Sequence, residues 1–353
     1  SARALKKRDD HFLYLLALCE LLQHSDAKQS QAVWRCGGVE YFLHLVRTFP
    51  SDRKIQELCI DAFLGLLRHD EGVTQLVLDI GGIKAVVSSM SNNPQVLSIQ
   101  KDATLFILGM FYKHNSETTD KIISESGHRS IVEALKRFPD DEVLNTHAFS
   151  IFSQLLKSEK KEARDCIEQV GAIDIAIMSM SNFPTNGDLQ CLTVGLLAKV
   201  FQKTGNDKIL VAVARSGGVL RLAHTIKSYY ADDTIAFYAL FLLDRLTFMD
   251  FRNSILLSKI DGFEQAIWQC IKKHSEGNPI SNSAHLVIAN MSRLSKDKTD
   301  GVKSIFSVLK NSPRFHQEYE YLWRVLIVMV DEAEYSSFKN VSTPRTNVIA
   351  RAL

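Results

Sequence analysis

Several things that would decide a function are missing from these 353 residues. No apolar run approaches the roughly 20 residues a membrane-spanning helix needs; the longest stretches, such as Val325 to Val330, fall far short, so no membrane span is expected. A charge excess is missing as well. Lys+Arg 42 against Asp+Glu 40 leaves +2, which speaks against a dedicated nucleic-acid binder and means that any charged partner must be met by a local patch. The six cysteines (Cys19, Cys36, Cys59, Cys166, Cys191, Cys270) contain no CxxC pair and sit mostly inside apolar helical pattern. They read as reduced, buried thiols of a cytoplasmic or nuclear protein, not as a disulfide framework. Alternating runs bounded by hairpin turns are absent, so no β structure is expected.

Catalytic signatures are absent too: no GxSxG elbow, no HExxH, no GxxxxGK[ST] and no GxGxxG after a strand. The eleven histidines make no i, i+4 ligand pair, and His147 and His285, both in helical pattern, read as core or groove residues. Neither an enzyme, a metal nor a cofactor is expected. The chain opens Ser1-Ala2-Arg3 with no initiator Met and no apolar targeting core, and reads as a fragment whose targeting signal would lie upstream.

What is present is a globular composition, 46% hydrophobic, 23% charged and 9% aromatic, and a repeat. Gly38, Gly82, Gly127, Ala172, Gly218, Gly262 and Gly301 anchor similar segments at spacings of 44, 45, 45, 46, 44 and 39. Pro50, Pro94, Pro139, Pro184 and Pro313 each lie twelve residues after an anchor. Ile55-Gln56 and Ile99-Gln100, with the variants Leu144-Asn145 and Leu189-Gln190, recur at plus seventeen and eighteen. One unit predicts three helices. A short helix from Thr118 to Ser126 stops at Gly127, where a left-handed residue closes it. A second, over Ser130 to Arg137, ends before Pro139. A longer third one starts at Asp140-Asp141, whose charges complement its dipole, and has Val143, Leu144, Phe149, Ile151, Phe152, Leu155 and Leu156 in its core. Asp232-Asp233 reads the same way. The Gly-Gly pairs at 37, 81 and 217 repeat at the period, so they read as corners and not as phosphate loops.

This short helix, glycine corner, second helix, proline break and long third helix resembles the armadillo repeat. HEAT repeats share the period, but their two-helix unit does not ask for the corner. The resemblance implies an all-α, right-handed α-α superhelix of about six to seven three-helix repeats. It covers 1–339 as one solenoid: an incomplete first repeat at 1–25, repeats at about 26–310 and C-terminal capping helices at 311–339. The segment 340–353 is polar and basic and reads as a flexible tail. Ser312-Pro313 and Thr343-Pro344 look like sites for a proline-directed kinase.

The resemblance also implies a concave groove of third helices that binds partner proteins. In importin-alpha and beta-catenin types, an asparagine on the third helix holds an extended peptide. Counting twenty-seven residues from each anchor, that position holds Gly65, Gly109, Gln154, Lys199 and Arg245, and Asn290 if one residue is inserted near Pro279. Only Asn290 matches. The packing tryptophans of importin-alpha are also missing, since Trp34, Trp268 and Trp323 lie on other helices, which counts against nuclear transport. One turn on lie Arg68, Tyr112, Lys157, Gln202, Phe248 and Arg293. Five of these twelve positions are basic and none is acidic. Two readings stand: a row of cations with interleaved Tyr112, Phe248 and Gln154 that suits an acidic extended peptide, or a solvated helical face. The expectation is a non-catalytic scaffold or adaptor, with a regulatory or targeting module of a larger signalling protein as the alternative.

Overall fold

The computed structural model describes residues 2–23, 27–68, 71–158, 160–169, 171–275, 277–292 and 303–304. Arg293, Ser312, Trp323, Thr343, the capping helices and the polar tail lie outside the described residues. Among the described residues there are helices and no strand. Helix α1 (Ala2–Gln23) comes first, followed by triplets of two short helices and one longer one. These are α2 (Ala27–Arg35), α3 (Gly38–Thr48), α4 (Arg53–Leu67); α5 (Glu71–Asp79), α6 (Gly82–Asn92), α7 (Leu97–Lys113); and α8 (Asn115–Ser124), α9 (Gly127–Arg137), α10 (Glu142–Lys157). Then come α11 (Lys161–Gln169), α12 (Ala172–Asn182), α13 (Gly187–Thr204); α14 (Asp207–Arg215), α15 (Gly218–Tyr229), α16 (Asp233–Met249); and α17 (Phe251–Ser258), α18 (Phe263–Lys273), α19 (Pro279–Ser292).

The chain forms two compact units, Ser1–Gly205 and Asn206–Leu353. In the first, the third helices pack in succession, α1 on α4, α4 on α7, α7 on α10 and α10 on α13, while α3, α6, α9 and α12 do the same beside them. In the second, α16 packs on α19 and α15 on α18. Each core is the seam between these rows. Phe42 meets Phe63 edge-on at 5.7 Å, and Phe63 meets Phe106 at 5.7 Å, all fully buried. Each such side chain contributes about 2–3 kcal/mol through burial.

The corner between first and second helices is built from two adjacent positions. The left-handed residue is Gly37, Gly81, Ser126, Gly171, Gly217 or Gly262, and in the first five it precedes the anchor read from sequence by one. The bends are 67° between α5 and α6 and 82° between α14 and α15. The anchor itself opens the second helix and meets a different demand. A Cβ on Gly38 would sit 2.8 Å from the Val33 carbonyl oxygen, and one on Gly82 2.9 Å from that of Val77. In the last triplet Gly262 itself is left-handed and α18 starts at Phe263. The structural anchor there is one residue later, and Asn290 falls in register with no insertion.

The second helices end at Thr48, Asn92, Arg137 and Asn182, two residues before Pro50, Pro94, Pro139 and Pro184. The intervening residue leaves helical conformation, with φ between -124° and -126°, as the ring of a following proline requires. Tyr230 stands where the fifth proline would be, and α15 accordingly runs one residue longer, with Tyr230 still right-handed helical. Third helices then start on side-chain caps: Asp52, Asp141, Asn186 and Asp232 each accept from the backbone N–H three residues on.

The recurring glutamine joins the two helices. Buried Gln56 donates from Nε2 to the carbonyls of Val46 and Phe49, both at 2.9 Å. Gln100 does so to Met90 (3.1 Å) and Asn93 (3.0 Å), and Gln190 to Met180 (2.9 Å) and Phe183 (3.0 Å). These carbonyls belong to the last turn of a second helix or to its cap and have no partner within the helix. In α16 and α19 the position holds Ala236 and Ser281, so this latch belongs to the first unit among the described residues.

Two expectations are corrected. Val143 is exposed, not core. Of the six cysteines only Cys19, Cys59 and Cys270 are buried, Cys36 is exposed, and all six are free thiols. Burial pushes the Cys19 thiol up to about 12 and that of Cys270 to about 11.

Candidate functional site

A helix brings residues three and four apart onto one face. On the third helices of the first unit, one such stripe is left open by the packing. It runs Lys54, Glu57, Asp61, Gly65, Arg68 on α4; Ser98, Lys101, Asp102, Leu105, Gly109, Tyr112 on α7; Val143, His147, Ser150, Gln154, Lys157 on α10; and Asp188, Cys191, Gly195, Lys199, Gln202 on α13. Most of it is exposed or half-buried, with Gly65 and Gly195 buried. Val143 lies on it because it precedes His147 by one helical turn.

The two predicted rows fare differently. The outer row is open: Arg68, Lys157 and Gln202 are exposed and Tyr112 is 71% exposed. The inner row is mixed: two of its six positions, Gly65 and Asn290, lie in seams between successive third helices, and the other four are half-buried. Gly65 is buried, and a Cβ there would come within 2.9 Å of Leu22 Cβ on α1. Asn290 is 1% exposed; it donates from Nδ2 to Thr247 Oγ1 at 3.0 Å and reaches buried Asp244 at 3.5 Å, so it binds α19 to α16 and does not stand on an open face. Half-buried Gln154 accepts from Asn115 Nδ2 at 3.3 Å. Gly109 and Lys199 are half-buried. Gly65 and Asn290 are covered because a helical register gives the face and not where the neighbouring helix lies on it.

In the second unit the same stripe on α16 is aromatic. Phe237 and Tyr238 pack edge-on at 5.2 Å, the Arg245 guanidinium lies 5.7 Å from the Phe241 ring centroid, and Phe248 is half-buried one turn later. Arg245 also lies 3.6 Å from Asp244. Phe237, Tyr238 and Phe241 were not singled out from sequence, although the same register carried back toward the helix start would have found them.

The face of the first unit is not uniformly basic. Glu57 and Asp102 occupy the N-terminal halves of α4 and α7 and Asp61 lies just past the middle of α4; Arg53 pairs with Glu57 at 3.0 Å, Ser98 also bonds Glu57, and Lys101 pairs with Asp141 at 3.3 Å. Burial raises the Asp102 carboxyl to about 6; the negative charges of Asp61 and Glu57 add to this and Lys101 opposes it. The folded chain therefore holds this proton more tightly than the unfolded chain, and the group favours folding increasingly as pH falls from 7 through 6 toward its ordinary range. Asp102→Asn is expected to raise Tm at pH 7 by roughly 2 °C and by little at pH 4.5. Thermal melts at the two pH values check this, and an equal gain at both would contradict it.

His147 sits beside Thr104 at 3.5 Å, with its pKa lowered by burial, and buried His285 stacks edge-on with Trp268 at 6.3 Å. No group of three or more His, Cys, Asp or Glu among the described residues could hold a metal. No single helix among them is long and apolar enough to cross a membrane.

No family model and no curated protein matches this sequence. Its fold is nevertheless similar to that of a solved structure from work on a phosphorylation switch controlling the interaction between cadherin and beta-catenin. The TM-score is 0.58 at 10% identity, over 96% of this chain and 76% of that one. The triplets, corners and proline breaks thus make up an all-α armadillo-type fold.

Proposed function

We propose that this chain is a non-catalytic scaffold or adaptor that holds an extended, acidic segment of a partner protein on the open faces of its third helices. The observation that carries the reading is the outer row of the first unit. Arg68, Tyr112, Lys157 and Gln202 are all exposed and contain no carboxylate, a surface suited to charge pairing and cation–π contact with an acidic chain. Glu57, Asp61 and Asp102 would push such a segment away from their part of the face and into this row. The aromatic face of α16 with Arg245 offers the same chemistry in the second unit. The fold likeness to a structure studied for the cadherin and beta-catenin interaction supports a protein partner, and reduced thiols fit the cytoplasm.

A second reading, a regulatory or targeting module of a larger protein, is favoured by α1, whose outer face exposes Leu13, Tyr14 and Leu21, an apolar patch of the kind that marks an interaction surface. To test the first reading, Lys157→Glu with Lys199→Glu, and separately Arg245→Glu, are compared with the unaltered chain in binding to a partner isolated by affinity pull-down. Affinity is expected to fall by about tenfold or more; unaltered affinity in both variants removes the groove.

A further inference from the structure

Along the edge where first helices meet, the first unit is stitched by polar side chains. Asp120 of α8 pairs with Lys160 just before α11, and Gln75 of α5 donates to Glu117 of α8 at 3.2 Å. His114 and Thr74 bond across the same edge at 2.8 Å. In the second unit the equivalent edge, between α14 and α17, is apolar. Val211, like Asp120, lies seven residues before the start of its second helix, and Phe251, like Lys160, twelve before the start of the next one. The exposed ion pair of one unit is thus replaced by an exposed apolar pair in the other: Val211 is 38% and Phe251 50% accessible. With Phe248, exposed Met249, Asp250 and Arg252 they line a hollow of about 520 Å³.

The rim of this hollow has a defined polarity. Asp250 caps α17 by accepting from the Arg252 N–H, and both its carboxylate oxygens are taken by the Arg252 Nε and Nη2 at 2.7–3.0 Å. Those hydrogen bonds hold the Asp250 carboxyl below its ordinary value, so the pair stays ionised. The acid is therefore committed, whereas the guanidinium side chain remains 78% exposed with Nη1 outside the fork. Nη1 of that guanidinium can still donate to a second carboxylate, whereas both Asp250 oxygens are already engaged. An exposed cluster of Phe, Met and Val around a hollow is the composition of an anchor pocket.

We infer that the hollow between α14, α16 and α17 receives one bulky apolar side chain of a partner segment, and that Arg252 binds a carboxylate adjacent to it in that segment. The inference rests on the scaffold reading above, since Phe248 belongs to both surfaces, and adds an apolar anchor to the acidic ligand. The pocket then sets register: acidic residues along the groove tolerate sliding, and a single anchored side chain does not.

The test uses the whole chain with labelled methyl groups and three synthetic seven-residue peptides: six acidic residues around a central leucine, the same with a central alanine, and the same with lysines in place of the acids. Saturable shifts of the Val211 and Met249 methyls are expected with the leucine peptide, and binding about tenfold weaker with each of the others. Phe251→Asp and Arg252→Glu are each expected to weaken the leucine peptide about tenfold. Val211→Asn serves as a second probe whose side chain is smaller than the hollow. Equal response to the alanine peptide, or no response at millimolar concentration, overturns the inference. So does sedimentation in which the chain self-associates and Phe251→Asp abolishes the association, because a second copy would then fill the hollow. If Lys157→Glu with Lys199→Glu releases a captured partner and Phe251→Asp does not, the pocket falls and the groove stands; the reverse pattern retains the pocket and removes the groove.

Discussion

Gly82→Ala is expected to destabilise the first unit by about 3 kcal/mol. The added Cβ would lie 2.3 Å from Val77 Cγ1 and 2.9 Å from the Val77 carbonyl oxygen. Neither neighbour can yield easily: a β-branched side chain on a helix has one favoured rotamer, and the oxygen belongs to the backbone of α5. Relief requires α5 and α6 to move apart, opening the seam that buries Val77 and Ile83. Gly127→Ala is the internal comparison. Its nearest contact, at 2.9 Å, is the terminal methyl of Ile122, which can rotate, and Val87 Cγ2 at 3.1 Å has to give by only a few tenths of an ångström, so about 1–2 kcal/mol is expected there. Urea unfolding of the two variants checks the order; equal losses would mean that steric approach to the first helix is not what the anchor glycine serves. Ala172 occupies the same position in the fourth corner, fully buried, so alanine is acceptable where the first helix stands back.

The second large effect is expected at the latch. Gln100→Leu keeps most of the side-chain volume but removes the 3.1 and 3.0 Å side-chain donors of the Met90 and Asn93 carbonyls; Asn93 O still accepts from the Val96 N–H at 3.1 Å, so the Met90 carbonyl is the one left unpaired. Each buried, unpaired acceptor costs about 1–3 kcal/mol, and Gln100 is 2% exposed, so water has little access to replace it. A loss of about 1–3 kcal/mol is expected. Amide exchange should locate it, with protection falling at the end of α6 and the start of α7 and staying intact in α15 and α16, which have no such glutamine. A loss spread evenly over both units would argue against a local latch.

These sites show which parts of the molecule were legible in the amino-acid sequence. The triplet order, the corners and the proline breaks are demands of the local backbone, so spacing alone reveals them. The Ile-Gln recurrence was equally visible, but its reason was not, because the carbonyls it caps lie seven and ten residues earlier on another helix. The corner was misplaced by one residue since both members of a Gly-Gly pair are constrained, one by a positive φ and the other by close approach. In the last triplet the longer turn from Lys259 to Gly262 moved the start of the second helix, which is why Asn290 seemed to need an insertion. The groove was half legible. Register placed Arg68, Tyr112, Lys157 and Gln202 on the open stripe correctly, but it could not reveal that the row one turn earlier is where Gly65 meets Leu22 and Asn290 meets Thr247. Nor did counting two rows expose Glu57, Asp61 and Asp102 farther up the same face. The apolar edge at Val211 and Phe251 emerges only when equivalent positions of different triplets are compared in space.

The corner has a consequence for how much of the sequence the fold dictates. In five of the six described corners it takes a left-handed residue and then a small one; Ser126 and Ala172 show that neither has to be glycine, and Phe263 after left-handed Gly262 shows that the second need not even be small where the turn is longer. A unit specified by so few letters leaves most of its positions free to drift under the sole condition that apolar stays apolar. A fold that asks for so few letters is open to sequences with very few identical positions, and the similar solved structure shares 10% of them.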